Sequence, residues 1–199
     1  MSTLPDALLG MFRVLKWRGM GQAAEDLAAQ NSPAFQAALP ILADLVKAEI
    51  AEREVRSLAY QMKVAKFPAY RDINGFDFGV SEVNEALVKK LHSCAFLETA
   101  QNVVFVGGPG TGKTHLASAL GIQAIEHHDA RVRYFSTIEL VNMLEQEKQQ
   151  GRSGNLAARL LHTDLVILDE LGYLPFSQAG GAMLFHLISK LYERTSLVI

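Results

Sequence analysis

The chain has 199 residues, room for one substantial domain or one domain with a smaller appendage. It is 49% hydrophobic and 20% charged with a formal net charge of −2, so nothing draws the whole chain to polyanions and any nucleic-acid contact must rest on a local patch. Its single cysteine, Cys94, excludes an intramolecular disulfide, and Leu91, Ala95 and Phe96 around it predict a buried structural thiol. No uncharged apolar run approaches the roughly 18 residues that cross a bilayer. Arg13, Lys16 and Arg18 break up the apolar positions of the N-terminus, so no membrane span or signal-peptide core is expected and the cytoplasm is the default location.

Residues 1 to about 66 read as helical throughout. Leu8, Phe12 and Leu15 mark a short amphipathic helix interrupted by Gly19-Met20-Gly21. Met20, Ala24 and Leu27 carry a second helix, closed by Asn31-Ser32-Pro33. A long third helix is expected after Pro40, with Ile41, Leu45, Ala48, Val55, Ala59 and Met62 near helical spacing. Lys66-Phe67-Pro68 ends it, because Pro68 disfavours helix in the residue before it. The expected division is therefore a helical N-terminal region over 1–67, a linker over 68–79 and an α/β core over 80–199.

From about residue 80 strands and helices alternate. A helix over 84–96 precedes the run Val103-Val104-Phe105-Val106, apolar on both faces as a central parallel strand should be. A glycine-rich loop and a helix to about His128 follow, then a strand over 132–135. Ser136 and Glu139 have capping-box spacing for a helix to about Gln150. After a glycine-containing turn at 151–154 come a short helix over 156–161 and the strand Leu165-Val166-Ile167-Leu168. Ser177 caps a helix expected to reach Arg194, where a cation suits both the helix dipole and solvent, and Leu197-Val198-Ile199 begins a fourth strand. This order predicts an α/β fold: a parallel sheet with helices on both faces.

The loop Gly107-Gly108-Pro109-Gly110-Thr111-Gly112-Lys113-Thr114 matches G-x-x-x-x-G-K-[ST] between an apolar strand and a helix, which is the context that P-loop requires. Its glycines let the backbone curl so that successive N–H groups face a phosphate, and the following helix aims its positive end at the same place. Lys113 is expected at the β- and γ-phosphates of ATP, and the Thr114 hydroxyl on Mg²⁺. His115 completes the candidate nucleotide-binding run, packing on the first helical turn or facing solvent rather than acting in catalysis. Asp169 ends an apolar strand, where a carboxylate holds Mg²⁺ directly or through water. Glu170 beside it suits the orientation and deprotonation of an attacking water, so Glu170 and Lys113 are the candidate catalytic residues.

Residues 102–117, the run Asp169-Glu-Leu-Gly-Tyr-Leu-Pro-Phe-Ser177 and Leu184-Phe-His-Leu-Ile-Ser-Lys190 closely resemble the IstB-like helper ATPases of insertion-sequence transposition. These are AAA+ proteins similar to DnaC-type helicase loaders and DnaA-type initiators. The resemblance extends over essentially the whole chain, and the Leu-Gly-Tyr-Leu-Pro-Phe run is its most diagnostic segment. It implies ATP-dependent assembly on double-stranded DNA, self-association, and recruitment of a transposase. A helicase loader and a non-hydrolysing nucleotide- or DNA-binding remnant are the competing expectations. In this family a sensor residue, a fifth strand, an arginine finger and a lid follow such a last strand. A chain ending on Leu-Val-Ile therefore reads as C-terminally truncated, with weak nucleotide binding and little hydrolysis expected.

Arg53, Arg56, Lys63, Lys66 and Arg71 oppose one acid, Glu54, between positions 53 and 71, and Arg56, Tyr60 and Lys63 fall on one helix face. Arg53, Arg56, Lys63 and Lys66 are the candidate DNA contacts, with a solvated helix face as the plain alternative. Trp17 is expected in a helix–helix contact. His127 and His128 are expected at a helix end with no metal role. By analogy with the family, Phe76 and Phe78 border the adenine.

Overall fold

A computed structural model describes residues 5–172 and 177–199, and the chain divides into two compact units, Met1–Ala59 and Tyr60–Ile199. Among the described residues no helix is long and apolar enough to cross a membrane.

In the first unit, α1 (Asp6–Val14) and α2 (Arg18–Ala29) pack with the first part of α3 (Pro33–Ala65) around Leu8, Phe12, Leu15, Ala24, Ala28 and Val46. The break between α1 and α2 falls at Lys16, whose φ is 57°, and not at Gly19-Met20-Gly21, which lie inside α2. A Cβ on Gly21 would stand 3.7 Å from Cβ of Phe12. The small stripe Gly21, Ala24 and Ala28 therefore carries the contact, and Met20 and Leu27, expected on the buried face, are exposed. The third helix starts at Pro33, earlier than expected, and keeps Pro40 inside it. Proline suits a first helical position because that N–H has no partner within the helix. Leu39, Ala43, Val46 and Ile50, spaced 4, 3 and 4 apart, form its buried stripe, while Ile41, Leu45 and Val55 face out. Lys66, in the left-handed region at φ 62°, follows the last helical residue.

The second unit holds α4 (Glu85–His92), α5 (Lys113–His128), α6 (Thr137–Gln149), α7 (Asn155–Leu160) and α8 (Gln178–Leu191) with strands β1 (Val132–Ser136), β2 (Leu165–Asp169) and β3 (Ser196–Val198). Helices α4, α6 and α8 open on side-chain caps: Asn84, Ser136 and Ser177 each accept from the backbone N–H three residues on. The helix α8 stops at Leu191 rather than Arg194, with Glu193 at φ 59° just beyond. The strands pair in parallel in the order β1-β2-β3, with Ser136 opposite Asp169 and Leu165 opposite Ser196.

Alternation divides the sheet's side chains. Val132, Tyr134, Leu165, Ile167 and Val198 pack with Ala117, Leu120 and Ala124 of α5. Phe135, Val166, Leu168 and Leu197 pack with residues of α6, α7 and α8. Helices thus cover both faces, as the strand–helix order predicts.

One strand differs from expectation. The Val103 N–H donates to Leu197 O (2.8 Å), that of Ile199 to Val103 O (2.9 Å) and that of Phe105 to Ile199 O (2.7 Å), so residues 103–105 lie alongside β3. Val103 and Phe105 pack on the α5 side, but Val104 and Val106 are 62% and 92% exposed. The run is not buried on both faces: its apolar composition does not determine its place in the sheet, and its described pairing is with β3 alone. Its C-terminal end delivers the P-loop to the edge of the sheet where Asp169 ends β2, the usual position for ligands of parallel sheets.

Candidate functional site

Gly110 and Gly112 have φ of 75° and 88°, which only glycine adopts without strain. At Gly112 a second constraint applies, because a Cβ there would overlap Cε2 of Phe76. The Thr111 hydroxyl donates to Gly108 O at 2.9 Å and closes the loop on itself. Lys113 Nζ donates to Gly107 O at 2.8 Å and Gly108 O at 2.7 Å. An ammonium has three donors, so the two carbonyls hold it in the loop with one donor left for an anion. The N-terminus of the 16-residue α5 adds its positive end to this cradle.

Asp169, half-buried at the end of β2, receives three donors on its carboxylate. Thr114 Oγ1 lies 2.7 Å from Oδ2, the Tyr134 hydroxyl donates to the same oxygen, and the Glu170 N–H donates to Oδ1 at 2.9 Å. Thr137 Oγ1 donates to the main-chain oxygen of Asp169 at 2.7 Å. Burial first, and then the bond to Asp169, push the Tyr134 hydroxyl far above the usual tyrosine range, so it keeps its proton and acts as a donor. Glu170 is exposed and sits at φ 65°, a conformation costing a non-glycine residue on the order of 1 kcal/mol.

Thr114 and Asp169 thus place two hard oxygen atoms side by side. Among the described residues no group of three or more His, Cys, Asp or Glu forms an all-protein cage. Such a sparse oxygen set fits Mg²⁺, which keeps several waters and is usually shared with phosphate oxygens.

His115 packs rather than facing solvent. Its Nε2 lies 2.7 Å from Asp72 O, which can only accept, so Nε2 carries the proton. Its ring meets Phe76 edge-on at 5.4 Å. An open cleft of about 750 Å³ runs beside the loop, lined by Phe76, Val80, Val83, Phe105 and Val106, by the polar Asp77, Ser81 and Glu82, and by Gly107, Gly108 and Gly110 to Lys113 of the loop.

Arg53 is already engaged within the helical unit: it pairs with Glu49 at 2.7 Å, donates to Leu15 O at 3.1 Å, and lies 5.4 Å over the Trp17 ring. Arg56 pairs with Glu52 at 3.0 Å. These acids stand one turn earlier, outside the basic stretch 53–71. Lys63 and Lys66 belong to the second unit, as does the exposed Arg194. Cys94 is buried as expected, with its thiol pushed up to about 11 by burial. Of the diagnostic run at 171–176, residues 173–176 lie outside the described residues.

Tyr134 and Thr137 escape the sequence reading. Their partner is 35 and 32 positions away and is reached only through the register of β1 on β2.

The profile of the IstB-like ATP binding protein family matches residues 11–199. An insertion-sequence IS21 ATP-binding protein of Pseudomonas aeruginosa is 33% identical over 148 residues, covering 74% of this chain and 56% of that protein. The IS5376 counterpart of Geobacillus stearothermophilus is 31% identical over 156 residues, covering 78% and 62%. The chain therefore spans about three-fifths of the length of these relatives. Among solved structures, AMPPCP-bound DnaA from Aquifex aeolicus superposes with a TM-score of 0.55 at 23% identity, over 66% of this chain and 41% of that one. The DnaC helicase loader gives 0.51 at 23% identity, over 57% and 65%. At that identity the likeness speaks for fold alone, an α/β architecture shared with these two structures.

Proposed function

The chain belongs to the IstB-like ATP-binding family, and on that premise we propose that it binds ATP with Mg²⁺ on the P-loop and serves DNA transposition as an assembly factor. The observation that carries this reading is the meeting of Thr114 Oγ1 and Asp169 Oδ2 at 2.7 Å, beside a loop that already holds the Lys113 ammonium. The backbone N–H groups of the loop from Gly110 to Thr114 bind phosphate, and Lys113 faces the charge of the terminal phosphates. Thr114 and Asp169 hold the cation, which when bound neutralises charge on the phosphate oxygens. Glu170 orients a water and takes its proton as the water attacks the γ-phosphorus, releasing ADP and phosphate. The apolar wall of Phe76, Val80 and Val106 receives the base. Arg56, Lys63 and Lys66 are the DNA contacts, whereas Arg53 serves chiefly to join the helices of its own unit.

The partner is a transposase, a reading supported by relatives that are insertion-sequence proteins. Co-purification with a helicase in place of a transposase would redirect it.

A titration with a fluorescent ATP analogue beside a phosphate-release assay tests the site. Saturable binding in Mg²⁺ is expected, weakened at least about tenfold in Lys113→Ala. Glu170→Gln should keep binding and lose whatever turnover the parent has. A parent chain that binds no nucleotide overturns the reading, and binding without phosphate release limits it to a nucleotide-gated assembly factor.

A further inference from the structure

Tyr134 lies in β1 two residues before Ser136, the register partner of Asp169, and its side chain belongs to the α5 face of the sheet. The residue is 8% exposed, and its ring packs 5.9 Å from that of Phe67. Packing alone asks only for a phenylalanine here, since a buried hydroxyl costs stability unless it finds a partner. The partner it finds is the carboxylate oxygen that also accepts from Thr114.

We infer that Tyr134 is a positioning residue for the cation site, its hydroxyl pinning Asp169 Oδ2 against Thr114 before any cation arrives. The inference rests on the Mg²⁺–ATP reading of the site. An aspartate's χ2 is broad and roughly two-fold, so a carboxylate at a strand end turns freely unless both oxygens are tied. Here the Glu170 N–H ties Oδ1, while Thr114 and Tyr134 tie Oδ2 from α5 and from β1. Thr114 spends its one proton on Asp169, so its lone pairs are left for a cation. If Thr114 turns its oxygen fully towards that cation, Tyr134 still holds Oδ2 in place. Partners of this kind behind metal ligands typically change metal affinity by 10–100-fold.

Mg²⁺ titrated into the full chain at a fixed concentration of a fluorescent ATP analogue reads the half-point of the cation-dependent gain in binding. A parallel titration of the analogue in EDTA reads binding without the cation. Tyr134→Phe is expected to raise the Mg²⁺ half-point about tenfold and to leave the EDTA affinity unchanged. Phe67→Leu disturbs the same packing without touching the hydroxyl, so it should lower the melting temperature and leave the half-point alone. A Tyr134→Phe chain with the parental half-point overturns the inference, as does one that loses binding equally in both arms or fails to fold, since the hydroxyl would then act on stability. If the parent shows no Mg²⁺-dependent gain, the proposed function falls too; if the parent shows it and the variant matches, only the role of Tyr134 falls.

Discussion

Cys94 shows how burial alone sets a residue's chemistry. It occupies a left-handed position, φ 58°, between α4 and the turn at Ala95–Leu97, and its sulfur lies 3.6 Å from His92 O and 3.9 Å from Leu120 O within the α5-side core. Burial raises its pKa to about 11, whereas an unfolded chain ionises near the ordinary thiol value of roughly 8.5. Above that lower value the unfolded state has lost a proton that the folded state retains, so stability falls as pH climbs from about 8.5 towards 11 and is unaffected by this group below. Denaturant midpoints across that range should fall in the parent and fall less in Cys94→Ala. Iodoacetamide at pH 8 should label Cys94 only when denaturant is present. The apolar neighbours Leu91, Ala95 and Phe96 made this legible in the sequence, because burial of a small apolar-flanked residue is a local matter.

Among the elements, α5 joins the site to the core. Its first turn carries Lys113, Thr114 and His115, and its body supplies Ala117, Leu120 and Ala124 to the packing on the sheet. Gly121 lies where α5 comes closest to its neighbours, and a Cβ there would meet Ile167 Cδ1 at 2.7 Å and the Phe67 ring at 2.8 Å. In an exposed helix, glycine to alanine gains about 0.8–1 kcal/mol. Overpacking a core costs about 1–3 kcal/mol, so the clash wins and Gly121→Ala should be destabilising by on the order of 1 kcal/mol net. A thermal melt checks this; a higher melting temperature would mean that Phe67 and Ile167 yield without cost. Because Phe67 meets the ring of Tyr134 and not its hydroxyl, the same substitution should be felt in stability and not in the cation response.

On the scale of the molecule, each of the two units has apolar packing of its own: the first around α1, α2 and the first part of α3, the second on both faces of the sheet. The DNA assignment can therefore be tested unit by unit. Removing one cation that neutralises a DNA phosphate should reduce the slope of log affinity against log salt by about 0.9. Arg56→Ala reports on the first unit, and Lys63→Ala with Lys66→Ala on the second. Filter-binding or anisotropy titrations across salt should show weaker binding and a shallower slope for at least one of them. Unchanged slopes in both would return these side chains to the plain role of a solvated helix face, as the Arg56–Glu52 pair allows.

The parts of this protein legible in its sequence are those written in short-range signals. The P-loop declares itself through glycines that alone tolerate φ of 75° and 88°, the helix starts through caps three residues long, and the strand ending in Asp169 through a run that is apolar on both faces. Tertiary packing decided the rest. Pairing with β3 placed Val103 at the side of the sheet and left Val104 and Val106 exposed, and packing of α2 buried Gly21, Ala24 and Ala28 while leaving Met20 and Leu27 outside. The register of β1 on β2 carried Tyr134 to Asp169, and Leu15 O with Trp17 occupied Arg53. Propensity and periodicity act over a few residues, whereas strand order, register and contacts between distant residues exist only once the whole chain has packed.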